Sequence, residues 1–296
     1  MILILTSLVV LAIQLRNADL AATLRNIRPG YVVLAVCWIA VSMLAAAYNL
    51  LGFAPARLRL APTLLAQLAV SGLRMIAPSA LSTPAVATRY LVRSGVPMPD
   101  ALATVGAAQT AQLVVTAVIV GLLGLASGEG FAMGHLGTPL LIGGVALAFL
   151  LALVRGIARS NEHLRDAVTE AVRGLGTIAA HARQRPSMVA VGVLASAGLT
   201  ITHVLAFAAC VCAVGGHLSL LTLTTVYLAA ASAGSLIPTP GGLGAVEAAL
   251  IAGLTTAGLP LPIATAAALL SRLVAVWLPA VPGWLAVIVL RRRALL

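Results

Sequence analysis

Apolar residues run along the chain in eight blocks, at positions 1–15, 31–53, 61–77, 101–126, 138–154, 188–214, 218–237 and, with interruptions, 243–290. A bilayer core ~30 Å thick takes ~20 helical residues. Blocks of this length predict transmembrane helices, because an open strand in lipid leaves its backbone groups unpaired. The block at 1–15 is short for a crossing, and no basic residue precedes it as in a signal peptide. It reads as a short or truncated first helix.

Two blocks are broken in the same way. The block at 61–77 ends in APSALSTP and the block at 218–237 ends in PTPGGLG. Downstream of each stands a related heptapeptide, GVPMPDA at 95–101 and GLPLPIA at 258–264, 163 residues apart, and each opens a long apolar helix. With 27 Gly and 15 Pro in 296 residues, a GxPxP pattern is expected only about 0.07 times by chance. The two occurrences in one context mark an internal repeat.

Arginine placement orients the repeat, since cytoplasmic loops carry the excess of basic residues. The stretch 155–185 holds six Arg and the chain ends on Arg291, Arg292 and Arg293, whereas the connections 127–137 and 215–217 hold none. Both termini are then cytoplasmic, Gly95 lies inside and Gly258 outside. Thirteen Arg fall inside, and Arg16, Arg25 and Arg28 form an exception in an outer linker. The expected fold is an all-α polytopic membrane protein of about six spanning helices plus two opposed re-entrant or broken helical hairpins in an inverted repeat. The alternative is eight spanning helices, with the prolines merely kinking two ordinary crossings.

This topology divides the chain into four parts. Residues 1–30 form an N-terminal helix and outer amphipathic linker, and 31–154 a first membrane repeat with its broken segment at 61–99. Residues 155–186 form a cytoplasmic interfacial helix, and 187–296 a second membrane repeat broken at 218–262. The interfacial helix rests on Leu164, Val168, Ala171, Val172 and Leu175 at helical spacing, opposite Glu162, Arg165, Glu170 and Arg173. Leu20, Leu24 and Ile27 give the outer linker a weaker stripe.

Composition sharpens this picture. The chain is 61% hydrophobic and 8% charged, against about 45–50% and about 25% in soluble domains. Its longest hydrophilic stretch, 155–186, is too short for an independent catalytic domain, so function must reside in the membrane part. The charge of +11 comes from 18 Arg and no Lys. That excludes a Walker A loop and Schiff-base chemistry, both of which need the amine. Cys37, Cys210 and Cys212 sit in apolar stretches, and Cys210 and Cys212 diverge on a helix, so neither a disulfide framework nor a metal site is expected. No cofactor and no nucleic-acid partner is called for, and the oligomeric state is not encoded. Small residues spaced four apart occur throughout and single out no interface.

Few residues remain for chemistry. Glu247 stands one turn into the helix after PTPGGLG, where an ionisable group at membrane depth is a functional candidate. A carboxylate there also satisfies free amides and the helix dipole. Arg272 lies in the middle of the last block, placed to pair with Glu247 or to hold an anion. Arg74 stands four residues before Pro78, where capping and anion binding are both open. Arg74 and Arg272 against Glu247 leave one positive charge that a phosphate would neutralise. Asp100 opens a helix and reads as a first-turn residue, and His203 as a satisfied buried histidine. HExxH, GxSxG and clustered carboxylates are missing, which favours a transporter over an enzyme.

The strings PTPGGLGAVEAAL and AGLPLPIATAAALLSRLVAVW resemble the C-terminal part of the lysylphosphatidylglycerol synthase/flippase membrane-domain family, and ALSTPAVATRYLVRSGVP resembles it more weakly. The matching positions are Pro238, Pro240, Gly241, Gly242, Gly244, Glu247 and Arg272. In the first repeat Ser79 and Ala80 stand in place of a Gly-rich pair and no Glu follows, although Arg89 is present. The resemblance implies movement of a polar-headed lipid between leaflets. No counterpart of the aminoacyltransferase half of two-domain members is seen, so lipid synthesis is not expected. The expected function is a flippase in the cell membrane whose partner is a phospholipid or lipid-linked substrate. The expected substrate-binding set is Arg272, Glu247, Arg74, Arg89, Pro238, Pro240, Gly241, Gly242 and Gly244. The alternatives are a membrane-embedded transferase acting on a lipid-linked sugar or phosphate, and a structural subunit of an envelope complex.

Overall fold

The computed structural model describes residues 26–56, 58–75, 79–126, 180, 183–236 and 244–293. The first helix at 1–15, most of the outer linker, the connection 127–137, the helix at 138–154 and nearly all of the interfacial helix lie outside these residues. So do Pro238, Pro240, Gly241 and Gly242.

Every described element is helical: α1 Pro29–Phe53, α2 Leu60–Leu73, α3 Ser79–Arg93, α4 Met98–Ala126, α5 Pro186–Ala213, α6 Leu220–Leu236, α7 Ala245–Thr256, α8 Leu261–Arg272 and α9 Leu278–Arg292. A π-helical turn, Leu273–Trp277, joins α8 to α9 without a break. Four stretches, Pro29–Phe53, Met98–Leu122, Pro186–Ala213 and Leu261–Arg292, are long and apolar enough to cross a bilayer. The protein is an all-α polytopic membrane protein. By contrast α2, α3, α6 and α7 have 14, 15, 17 and 12 residues. At ~1.5 Å per residue none of these reaches across a ~30 Å hydrocarbon core.

Proline and glycine set most boundaries. Pro29 and Pro186 open α1 and α5, where a missing N–H costs nothing. Helix α1 stops at Ala54, extended at ψ 130° ahead of Pro55, which disfavours helical geometry in the residue before it. The two heptapeptides of the repeat fold alike. Gly95 has φ +90° and Gly258 φ +99°, and both end a helix in a left-handed cap that other residues adopt only with strain. The Val96 N–H donates to Leu91 O at 3.1 Å, and the Leu259 N–H to Leu254 O at 3.0 Å. One turn further on, Pro97 O accepts from Ala101 N–H at 2.9 Å and Pro260 O from Ala264 N–H at 3.0 Å. Seven residues of sequence similarity thus correspond to one backbone shape used twice.

Two buried clusters hold the bundle. One joins the N-terminal half of α1 (Ala35, Ile39) to the end of α5 (Phe207, Val211), to α6 and α7 (Leu223, Leu250, Leu254) and to α8. The other joins the C-terminal end of α1 (Leu50, Ala54) to α2 and α3 (Val70, Val86, Tyr90, Leu91), the start of α4 and the end of α9 (Val287, Leu290). The pair α2 and α3 thus shares a cluster with the C-terminal end of α1, and the pair α6 and α7 shares the other with its N-terminal half. Ala35 of the one cluster and Leu50 of the other stand 15 residues apart on α1, ~22 Å along its axis.

Close backbone contacts fix the helices between the clusters. Gly52 of α1 lies on Gly192 of α5, and Gly72 of α2 lies on Gly283 of α9. A Cβ on Gly72 would sit 2.9 Å from the carbonyl carbon of Gly283. The obstacle is backbone, which cannot rotate away as a side chain can. Gly283→Leu is therefore expected to force α9 off α2 and to lower stability by at least ~1–3 kcal/mol, read as the thermal unfolding midpoint in detergent. Gly106, with open space around it, is the control: Gly106→Ala should leave the midpoint unchanged or raise it.

Candidate functional site

The second broken segment re-enters regular structure at Gly244, whose φ of +88° starts α7. Glu247, three residues on, folds back over this start, and its Oε2 accepts the Gly244 N–H at 2.6 Å. Its other oxygen, Oε1, accepts from Arg272 Nε at 2.7 Å across the gap between α7 and α8. The side chains are 15% and 13% exposed. One carboxylate thus does both things open to it in the sequence: it satisfies a free amide at the helix start and pairs with the arginine.

Arg74 closes the C-terminal end of α2, where its N–H donates to Val70 O at 2.9 Å. Its Nη2 donates to Thr83 Oγ1 of α3 at 3.1 Å, bridging the two legs, while its Nε is buried without a hydrogen-bond partner among the described residues. Arg74, Arg272 and the Tyr227 hydroxyl lie within electrostatic reach of one another, and Arg74 reaches His203 of α5 in the same way. Arg74 at the end of α2 is thereby brought near Tyr227 of α6 and Arg272 of α8. His203 stacks on Tyr227 of α6 with ring centroids 6.4 Å apart, and its Nδ1 contacts Leu199 O at 2.8 Å.

A cavity of about 430 Å³ opens beside Arg74. Its walls come from five helices: Met43, Ala46, Asn49 and Leu50 of α1; Gln67, Val70, Ser71 and Arg74 of α2; Thr83, Pro84 and Ala87 of α3; Val105, Ala108, Gln109 and Gln112 of α4; Leu199 and His203 of α5. Gln109 is itself exposed, so the cavity reaches the surface of the bundle at α4. That opening lies 11 residues from Met98 at the start of the helix, ~16 Å along its axis. Deeper in, Gln112 Nε2 donates to Thr200 Oγ1 at 2.8 Å, and Asn49 Nδ2 donates to Ser196 Oγ at 2.6 Å.

The sequence-derived residues divide accordingly. Arg272, Glu247 and Gly244 come together, and Arg74, within electrostatic reach of Arg272, stands on the cavity wall. Arg89 is exposed on α3 and is not among the cavity-lining residues. Asp100 sits in the first turn of α4. Sequence reasoning passed over Asn49, Gln67, Gln109 and Gln112. A signal was present: these are all the amide side chains within the apolar blocks between 31 and 126, and every one lines the cavity.

A family model described as the lysylphosphatidylglycerol synthase TM region matches residues 1–283 of the chain. Comparison with curated proteins returns no match.

Proposed function

The chain belongs to the lysylphosphatidylglycerol synthase TM-region family, and from that premise we propose that it is a flippase, moving a polar, phosphate-bearing lipid between the leaflets of the cell membrane. The family ties the protein to lipid handling. The observation that carries the finer reading is the cavity itself, which sets the Arg74 guanidinium and four amide side chains among largely apolar walls and reaches the bundle surface at Gln109. A phosphate enters toward Arg74 while the acyl chains stay outside in the bilayer, so that only the headgroup leaves water.

In this reading the pairs α2/α3 and α6/α7 are re-entrant hairpins of an inverted repeat, entering from opposite faces. Three features support it: the short legs, the matching GxPxP turns and the membership of the two pairs in different buried clusters, which meet α1 in different halves. Discontinuous helices whose ends meet at mid-depth are how transporters expose backbone and charge to a substrate. Arg272 and Glu247 then act as the gate: the phosphate competes with Glu247 for Arg272 as it passes. Gly244, with Pro238, Pro240, Gly241 and Gly242 of the same motif, completes the substrate-binding set in this reading, and Arg89 is an exposed basic contact for an approaching headgroup. In this reading the C-terminus is cytoplasmic, which the basic Arg291, Arg292 and Arg293 favour.

The test is reconstitution of the purified chain into liposomes containing a trace of acyl-labelled phosphatidylglycerol, with loss of the outer-leaflet signal followed after a membrane-impermeant quencher. Protein-containing vesicles should lose nearly all of the signal and empty ones about half. Equal loss from both would reject transport.

A further inference from the structure

The cavity carries more information than the presence of a phosphate site. Among the described residues, its lining contains one permanent charge, that of Arg74, and no carboxylate. Glu247 is not on its wall and is already engaged by Arg272 and by the Gly244 N–H. Beside Arg74 stand four primary amides, Asn49, Gln67, Gln109 and Gln112. Each amide offers two N–H donors and an acceptor oxygen, the complement of a hydroxyl, which donates once and accepts twice.

Two of these polar groups are left waiting. Arg74 Nε and Gln112 Oε1 are buried with no partner among the described residues. For Gln112 this does not depend on which way the amide is turned, because the hydroxyls of Thr200 and Thr116 that meet it can donate or accept equally. One end of Gln112 therefore lacks a partner in either orientation. A buried group in that state costs free energy until something pairs with it.

Resting on the transport reading, we propose that the cavity selects an anionic lipid in which a single phosphate diester carries an uncharged, hydroxyl-bearing headgroup of the glycerol or sugar class, and that it rejects cationic headgroups. The phosphate pairs with Arg74, including its unpartnered Nε, and the headgroup hydroxyls bond Gln112 and the neighbouring amides. A headgroup with ammonium groups would bring its charge into a space with one guanidinium and no carboxylate, where a desolvated cation has only amide oxygens for company. A headgroup without hydroxyls would leave Gln112 unpaired. Sites built to bond a hydroxyl discriminate strongly against analogues lacking one.

The experiment uses the full chain in the liposome assay with three acyl-labelled probes that share their tails: phosphatidylglycerol, phosphatidylethanol, which keeps the charge but has no headgroup hydroxyl, and lysyl-phosphatidylglycerol, which is cationic. In parallel, the thermal midpoint in detergent is read with each unlabelled lipid and with soluble glycerophosphoglycerol. Phosphatidylglycerol should move at least ~10-fold faster than either other probe and raise the midpoint most. Gln112→Leu, and independently Gln67→Leu, should erase the preference over phosphatidylethanol while keeping the rejection of the lysyl lipid. Equal movement of all three lipids, or faster movement of the lysyl lipid, would overturn the headgroup assignment and leave transport standing. A midpoint raised selectively by phosphatidylglycerol with no movement of any lipid would support the assignment and reject transport. A shift with glycerophosphoglycerol and none with the lipid would overturn the lipid-borne source of the headgroup.

Discussion

Glu247→Gln and Arg272→Gln are each expected to lower stability by about 3 kcal/mol, while the two together lower it far less. Breaking a buried pair from one side costs ~3–5 kcal/mol because the remaining charge keeps its desolvation penalty and loses its compensation. Side chains 13% and 15% exposed fall toward the lower end of that range. Gln at 247 isolates the charge from the cap, since its amide oxygen can still accept the Gly244 N–H. The Glu247→Gln variant also removes the carboxylate that offsets Arg272, whose charge already repels that of Arg74. In the double variant both charges are gone and two amides can bond each other. Transport separates the roles. If Arg272 handles the phosphate, all three variants are inactive, including the stable one. A double variant that regains both its thermal midpoint and lipid movement would reduce the pair to a structural clasp and end its proposed part in the gate.

Arg74→Met is expected to show the opposite pattern, losing transport with stability unchanged or raised. Among the described residues, Arg74 makes one side-chain hydrogen bond, to Thr83, and its Nε has no partner. Methionine keeps much of the stem volume and removes the buried cation together with its repulsion from Arg272. Replacing a poorly compensated buried charge by an apolar side chain is commonly neutral or stabilising. The phosphate, however, loses a charge-assisted contact of ~1.5–3 kcal/mol, so lipid movement should fall ~10- to 100-fold. Paired measurements of thermal midpoint and initial transport rate check this. A loss of several kcal/mol of stability with transport intact would make Arg74 a strut between α2 and α3. The two arginines of the membrane interior are thus distinguished by the sign of the stability change.

How much was legible in the sequence depends on how each feature is encoded. The helical fold comes from runs of apolar residues that no other secondary structure accommodates in lipid. The equivalence of the two turns comes from Gly95 and Gly258, because a left-handed cap followed by proline leaves few other residue choices. The pairing of Glu247 with Arg272 was open to reading since the two are the only opposite charges in the blocks of the second half. Contacts set by three-dimensional approach were not legible. Gly72 and Gly283 touch across 211 positions of sequence, and nothing in a chain with 27 Gly distinguishes them from Gly106 or Gly121. The cavity was missed for a different reason. Asn49, Gln67, Gln109 and Gln112 belong to three separate blocks, and single amides in apolar helices attract less notice than charges. Only their convergence gives them meaning.

The π turn at Leu273–Trp277 has a consequence for how the interior is timed to the rest of the bundle. Arg272 and Gly283 are 11 residues apart, and on an uninterrupted α-helix they would lie on nearly the same side, since 11 steps of ~100° amount to three turns and a small remainder. The π turn, closed by the Leu278 N–H donating to Leu273 O, takes up one extra residue and rotates α9 by ~100° relative to α8. Arg272 is thereby aimed at Glu247 while Gly283 is aimed at α2. The segment works as a fixed phase shifter between two gears cut on one shaft, so that any event which let the turn relax to α geometry would swing the arginine and the α2 contact out of step. Deleting a single residue within 273–277 would instead remove the extra residue and let the segment close as α-helix with Arg272 and Gly283 in their present phase, whereas straightening the turn at full length would uncouple the charge at the centre from the helix that positions the cavity.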